Sequence, residues 1–125
     1  MKTNLSILII DDSSLFIHRL RQLLTDYCDC LSIAVAGCYD DGLQLYHQIN
    51  PNLVFLDINL PGRNGIELLI SIRKLNKHVT IVMLTNNDPA EYLDLCLRLG
   101  ANYYVEKIAG FDTITGITDE ALNAL

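Results

Sequence analysis

Five polar side chains stand where apolar runs stop, and together they could do phosphoryl chemistry. Asp11 and Asp12 follow the apolar run Leu5 to Ile10, and Asp57 closes Leu53-Val54-Phe55-Leu56. Thr85 follows Val79 to Leu84, and Lys107 follows Asn102 to Val105 with one Glu between. Three carboxylates, a hydroxyl and an ammonium form a useful set if the fold gathers them. Crowded carboxylates cannot all stay ionised without positive charge nearby. Lys107 offsets one charge, and a hard divalent cation taking oxygen ligands would offset the rest. Mg²⁺ suits a site with few carboxylates and open water positions. A carboxylate so placed can act as a nucleophile toward phosphorus, since phosphoryl transfer needs mainly positioning and neutralised oxygens.

The elements that must position these groups are readable from the apolar pattern. The continuous run before Asp57, preceded by Asn50-Pro51-Asn52, reads as a strand buried on both faces of a parallel sheet. Leu5 to Ile10 is a first strand, Ser32 to Gly37 a second, Val79 to Leu84 a fourth and Asn102 to Val105 a fifth. Between them lie helical patterns. Ser13 or Ser14 caps the first helix, which carries Leu15, Phe16, Leu20, Leu23, Leu24 and Tyr27 at helical spacing. Asp40-Asp41-Gly42 reads as a turn into a second helix ending at Asn50-Pro51. A third should run from about Gly65 to Leu75, with Ile66, Leu69, Ile70 and Ile72 inward and Glu67, Arg73 and Lys74 outward. Asn86-Asn87-Asp88-Pro89 opens a fourth helix that Gly100 closes. The tail from Phe111 to Leu125 ends helical, with Gly116 blurring its start.

Five alternations of strand and helix predict an α/β fold, a doubly wound five-stranded parallel sheet of order 2-1-3-4-5 with helices on both faces. That order sets the first and third strands side by side at the reversal point. Asp11, Asp12 and Asp57 then meet at the carboxyl edge, flanked by Thr85 and Lys107.

Composition narrows the function classes. The 125 residues predict one domain (1–125) with a substantial core, and half of them are apolar. A formal net charge of -6 argues against direct contact with nucleic acid. Leu5 to Ile10 is far too short to span a membrane, which predicts a cytoplasmic protein with no membrane partner. Cys28, Cys30, Cys38 and Cys96 fit reduced thiols there. No metal-binding spacing completes a zinc set, and Cys28 and Cys30 are not expected to act as a redox pair.

In order and spacing, several segments resemble the receiver domain of two-component response regulators over essentially the whole chain. They are Asp11-Asp12, Pro51 to Asp57, Leu60-Pro61 with Gly65, Leu84-Thr85, Gly100-Ala101 and Tyr104 to Lys107. The resemblance implies that Asp57 accepts a phosphoryl group from a histidine kinase or a histidine phosphotransfer protein. It implies that Asp11 or Asp12, Asp57 and the backbone carbonyl of Asn59 hold Mg²⁺, and that Thr85 and Lys107 bind the phosphoryl oxygens. Tyr104 would be the rotamer-switching aromatic, with Thr85 moving inward to make room. Output would go to a protein target, or to a second copy, through the fourth helix, fifth strand and fifth helix. Such a domain is no free-standing enzyme, because it catalyses only its own phosphorylation and dephosphorylation.

Three residues depart from the family pattern. Ile108 follows Lys107 where proline, which favours a cis peptide, is usual. Asn86 follows Thr85 where a small residue is usual, and would border the water path that sets phosphoryl lifetime. Gly116 interrupts a Thr-rich last helix. Two other classes would use the same residues differently. A Mg²⁺-dependent phosphohydrolase of the haloacid-dehalogenase kind would need an Asp-x-Asp nucleophile motif after the first strand, but here the two Asp are adjacent. A flavin or nucleotide binder would need a phosphate cradle, and Asp11-Asp12 would repel a phosphate. A receiver cut from a longer regulator fits the sequence as well as a stand-alone one.

Overall fold

The computed structural model describes residues 4–86 and 91–125. Five strands, β1 (Leu5–Ile10), β2 (Leu31–Ala36), β3 (Leu53–Asp57), β4 (Thr80–Thr85) and β5 (Tyr103–Glu106), form one parallel sheet of order β2-β1-β3-β4-β5. The helices are α1 (Ser14–Tyr27), α2 (Tyr39–Ile49), α3 (Gly65–Leu75), α4 (Leu93–Arg98) and α5 (Ile114–Asn123), the last entered through a 3-10 turn at Phe111–Thr113. The order and the parallel direction are those expected from the alternation.

Two apolar cores sandwich the sheet, and the strand pleat assigns residues to them. Leu8, Ile10, Val54, Leu56, Ile81 and Met83 face one side, where α2 and α3 supply Tyr39, Tyr46, Leu68, Leu69 and Ile72, and α4 supplies Cys96. Leu5, Ile7, Ile9, Leu53, Phe55, Val82 and Leu84 face the other, against Phe16, Leu20 and Leu24 of α1 and Ile114 and Ile117 of α5. β3 is buried at every position, as a strand covered on both faces must be, whereas the edge strands β2 and β5 are only partly covered.

Local chemistry fixes the joints. The Ser13 hydroxyl accepts the Phe16 N–H at 3.2 Å, and the Asn64 side chain accepts the Glu67 N–H at 3.0 Å, capping α1 and α3. Asn52 pairs with Ser6 through both its backbone and its side chain, each at 2.8 Å, and aligns the starts of β1 and β3.

Several boundaries differ from the sequence reading. Asp40, Asp41 and Gly42 are not a turn but the first turn of α2, where carboxylates suit the helix N-terminus. A Cβ on Gly42 would stand 3.0 Å from Ile10 Cδ1, so the glycine lets α2 lie close on the sheet. In α3, Leu68 is buried and Ile70 exposed, a shift in the phase of the apolar stripe. Arg73 does not point simply outward. Its guanidinium donates to the carbonyls of Gly100 (2.8 Å) and Asn76 (3.2 Å) and to the Asn102 side chain (2.8 Å), tying α3 to the turn before β5. Gly100, at φ +110°, makes that turn. Gly116 lies inside α5, not at its start. The expected helix opening at Asn87-Asp88-Pro89 lies outside the described residues, and α4 begins at Leu93.

Candidate functional site

Strand register brings the polar groups together. Ile10 pairs with Leu56, so the next residues on these neighbouring strands, Asp11 and Asp57, lie side by side. Asp57 in turn pairs with Leu84, and Thr85 pairs with Glu106, placing Lys107 one residue beyond. The Lys107 N–H donates to the Thr85 carbonyl at 2.8 Å, which carries the last strand's hydrogen bonding into the site.

The result is a nearly dry charged cluster. Asp11 and Thr85 are wholly buried, Asp57 is 3% exposed and Lys107 6%. The Lys107 ammonium lies 2.7 Å from Asp11 Oδ2 and 3.5 Å from Asp57 Oδ2. One carboxylate oxygen from each of Asp11, Asp12 and Asp57 falls within 4.8 Å of the others, the one such group of potential metal ligands among the described residues. Asp12 is exposed and opens the cluster to solvent. Asp11 Oδ1 is turned to the Ser13 N–H at 2.8 Å, and Asp57 Oδ1 to the Asn59 N–H at 3.2 Å. Asp11 Oδ2 is buried without a hydrogen bond of good direction, although the Lys107 ammonium is close. A buried carboxylate oxygen short of donors, facing two further carboxylates, fits a hard cation.

Electrostatics agree with that crowding. Burial, then the Asp11 carboxylate, pushes the Asp57 pKa up to about 6, while Lys107 and the Asn59 N–H pull it back. Asp57 is therefore still mostly a carboxylate at neutral pH.

The remaining predicted positions surround this centre. Asn59 is exposed beside Asp57. Asn86 is exposed and lines an open cleft of about 350 Å³ together with Phe16, Arg19, Lys107, Ile108 and Phe111. The Lys107–Ile108 peptide is trans, and Ile108 is 84% exposed. Tyr104 packs its ring against the core on the α2, α3 and α4 side. Burial raises its phenol's pKa; Thr85 and the Tyr92 backbone stand close enough to offset this in part. Neither gives the buried hydroxyl a hydrogen bond of full geometry among the described residues.

Two residues of the site were not singled out from sequence for what they do here. Phe16 lies under the Lys107 ammonium, 4.6 Å from ring centroid to nitrogen, and Phe111 packs edge-on against Phe16. Gly65 begins α3 directly on the backbone of Asp57, where a Cβ would come 2.0 Å from the Asp57 carbonyl oxygen. The first reads in sequence as one more apolar helix position. The second gives only the signal of a short span between strand end and helix start.

A buried aspartate at the switch point of a 2-1-3-4-5 sheet, flanked by an acidic pair, a threonine and a lysine, defines a receiver-type site. Residues 7–119 match the response regulator receiver domain, and the chain belongs to that family. It is 30% identical over 117 residues to the DNA-binding transcriptional activator EvgA of Escherichia coli K12, covering 93% of this chain and 56% of EvgA. It is 29% identical over 101 residues to the chemotaxis protein CheY of Halobacterium salinarum, covering 81% of this chain and 82% of CheY. Among solved structures, the CheY-like response regulator receiver domain protein of Methanospirillum hungatei superposes with a TM-score of 0.84 at 26% identity. That match covers 97% of this chain and 96% of the other. The chain spans about half the length of several curated relatives it matches, EvgA among them. Among the described residues no helix is long and apolar enough to cross a membrane.

Proposed function

We propose that residues 1–125 form one receiver unit in which Asp57 is the phosphoacceptor, loaded by a histidine kinase or histidine phosphotransfer protein in the cytoplasm. The observation that carries this reading is the Lys107 ammonium set between the buried carboxylates of Asp11 and Asp57, at 2.7 and 3.5 Å. A structural ion pair needs one carboxylate. Two buried carboxylates plus Asp12 make a site that is more negative than its own lysine can neutralise.

A carboxylate oxygen of Asp57 attacks phosphorus; the new O–P bond forms as the bond to the donor's histidine nitrogen breaks. With a pKa near 6, Asp57 is ionised and nucleophilic at neutral pH without a separate base. Lys107, held by burial and by its backbone bond to Thr85, supplies fixed positive charge to the phosphoryl oxygens. Thr85, at the adjoining strand end, donates its hydroxyl to one of them. Asp11, Asp12, Asp57 and the Asn59 carbonyl would hold Mg²⁺, whose chemistry there is neutralisation of charge on the transferring group. The chain acts on itself and turns over no free substrate.

Phosphorylation adds about -1.5 to -2 of charge at Asp57. Thr85 then moves toward the new acceptor, and the Tyr104 ring, already half-buried beside it, follows. The readout surface is the face of α4, β5 and α5, where Leu93, Leu95 and Leu97 are exposed; Cys96 belongs to the core. A protein target or a second copy of the chain would dock there. DNA contact, where a longer protein containing this unit has it, would belong to another region, because the unit's net charge of -6 does not favour phosphate.

Incubation with acetyl phosphate, with and without Mg²⁺, tests the reading by intact mass. A phosphoryl gain that needs Mg²⁺ and is absent from Asp57→Asn is expected; the same gain in Asp57→Asn would refute it.

A further inference from the structure

We propose that Cys28 and Cys30 are a reactive dithiol that closes reversibly to a disulfide by exchange with small-molecule disulfides of the glutathione type. Their sulfurs lie 2.6 Å apart, nearer than two unbonded sulfur atoms ordinarily rest, and little beyond a bond of about 2.05 Å. The proposal departs from the expectation that the two would not act as a pair.

The backbone on each side holds them there. Cys28 is the C-cap of α1, its N–H donating to the Leu24 carbonyl at 3.1 Å. The Cys30 carbonyl accepts the Leu5 N–H at 3.0 Å, which anchors it to the start of β1. Only Asp29 lies between, and it is exposed. Helix end and strand start thus fix two neighbouring side chains, and both are half-buried and reachable.

Their roles are unequal. The Cys30 N–H donates to Cys28 Sγ at 3.3 Å, and hydrogen bonding to Cys28 pushes the Cys30 thiol up in pKa. Cys30 thus holds its proton above the ordinary thiol range, which leaves Cys28 to open the exchange.

The exchange balances. Cys28 thiolate attacks one sulfur of the external disulfide, whose S–S bond breaks and releases one thiolate. Cys30 gives up its proton to solvent and attacks the Cys28 sulfur of the mixed disulfide, expelling the second thiolate. Two protein thiols are oxidised and one external disulfide is reduced to two thiols. A ring closed over one intervening residue removes little chain entropy, so it adds little stability. The pair therefore suits a reversible modification, not a structural staple. β1 separates it from Asp11 by six residues, so the redox site and the phosphoacceptor site lie at opposite ends of the sheet.

The full chain is incubated with oxidised glutathione, blocked with an alkylating reagent and mapped by peptide mass. The peptide carrying both cysteines is expected to lose two hydrogens, carry no glutathione and recover on reduction. Cys30→Ser is expected to accumulate one glutathione on Cys28. Cys38, half-buried, and Cys96, buried, serve as internal comparisons. A stable glutathione adduct on Cys28 or Cys30 of the wild type would overturn the proposal. So would a Cys28–Cys30 dithiol left intact while Cys38 reacts.

Discussion

The Lys107 ammonium rests 4.6 Å from the centre of the Phe16 ring, and Phe111 braces that ring at 6.1 Å in an edge-on contact. A lysine has a long, flexible stem, and here no proline follows it to stiffen the loop. The aromatic face supplies restraint at the charged end. A desolvated cation–π contact contributes about 1–2 kcal/mol. Phe16→Leu should keep the fold but slow the phosphoryl gain from acetyl phosphate by about five- to tenfold. Phe16→Tyr, which retains the ring, should stay near wild type. Equal rates in all three proteins would show that the ring only fills space.

Asp57 should cost stability at neutral pH. Its folded pKa of about 6 lies above the ordinary 3.8, so the folded state binds the proton more tightly than the unfolded chain. The penalty is absent when both states are protonated, below the ordinary value. It grows as pH rises from about 4 to 6 and is full above that. A shift of this size corresponds to on the order of 2–3 kcal/mol. Without divalent cation, Asp57→Asn should melt roughly 5–10 °C above wild type at pH 7.5, and the gap should close toward pH 4. Thermal melts at both pH values measure it; a gap that widens toward acid would reverse the sign.

The acidic pair should be needed for the cation. Mg²⁺ should raise the wild-type melting temperature by linkage, and Asp12→Ala should remove most of that rise. Asp11→Ala should weaken it as well, and would also leave the Lys107 ammonium without its nearest partner, 2.7 Å away. Identical Mg²⁺ titrations in wild type and both variants would exclude the pair as ligands.

Gly65 should tolerate no side chain. A Cβ at this position would meet the Asp57 carbonyl oxygen at 2.0 Å and the Ile58 Cα at 3.0 Å, both rigid backbone. Alanine, ordinarily the better helix former, should therefore destabilise the protein by over 1 kcal/mol and also slow phosphorylation, because relief requires moving the backbone that carries the phosphoacceptor. Chemical denaturation and the acetyl phosphate assay read the two effects. A more stable Gly65→Ala would show that α3 has room to shift.

The strands, their order and the charged set were legible because each rests on a local signal. An apolar run ending at Asp11, Asp57 or Thr85 marks both a buried strand and its polar end, and the alternation with helices leaves few topologies. What stayed hidden depends on contacts between distant residues. Phe16 has the spacing of a core residue, and nothing near it in sequence points to Lys107. Arg73 reads as a solvated helix position until Gly100 and Asn102 arrive beside it. The α3 stripe is ambiguous among Leu68, Leu69 and Ile70, all apolar and adjacent, and only the sheet beneath decides the phase. Cys28 and Cys30 are brought together by a helix end and a strand start that periodicity locates only to within a residue or two.

Asn86 should lengthen the life of the phosphorylated state. It is exposed at the end of β4, on the rim of the cleft that Lys107 lines. Hydrolysis requires that water to be in line with phosphorus, opposite the Asp57 oxygen. Two effects of the side chain compete. Its bulk screens the approach, whereas its amide could orient the water, but a neutral amide carbonyl is a feeble base and adds little to an attack already limited by access. Bulk should win. Asn86→Ala should shorten the phosphorylated lifetime by a few-fold to about tenfold, ~1.4 kcal/mol in barrier. Decay of the phosphorylated mass after removal of the donor reads this directly. Slower decay in Asn86→Ala would mean that the amide positions water and that access was never limiting.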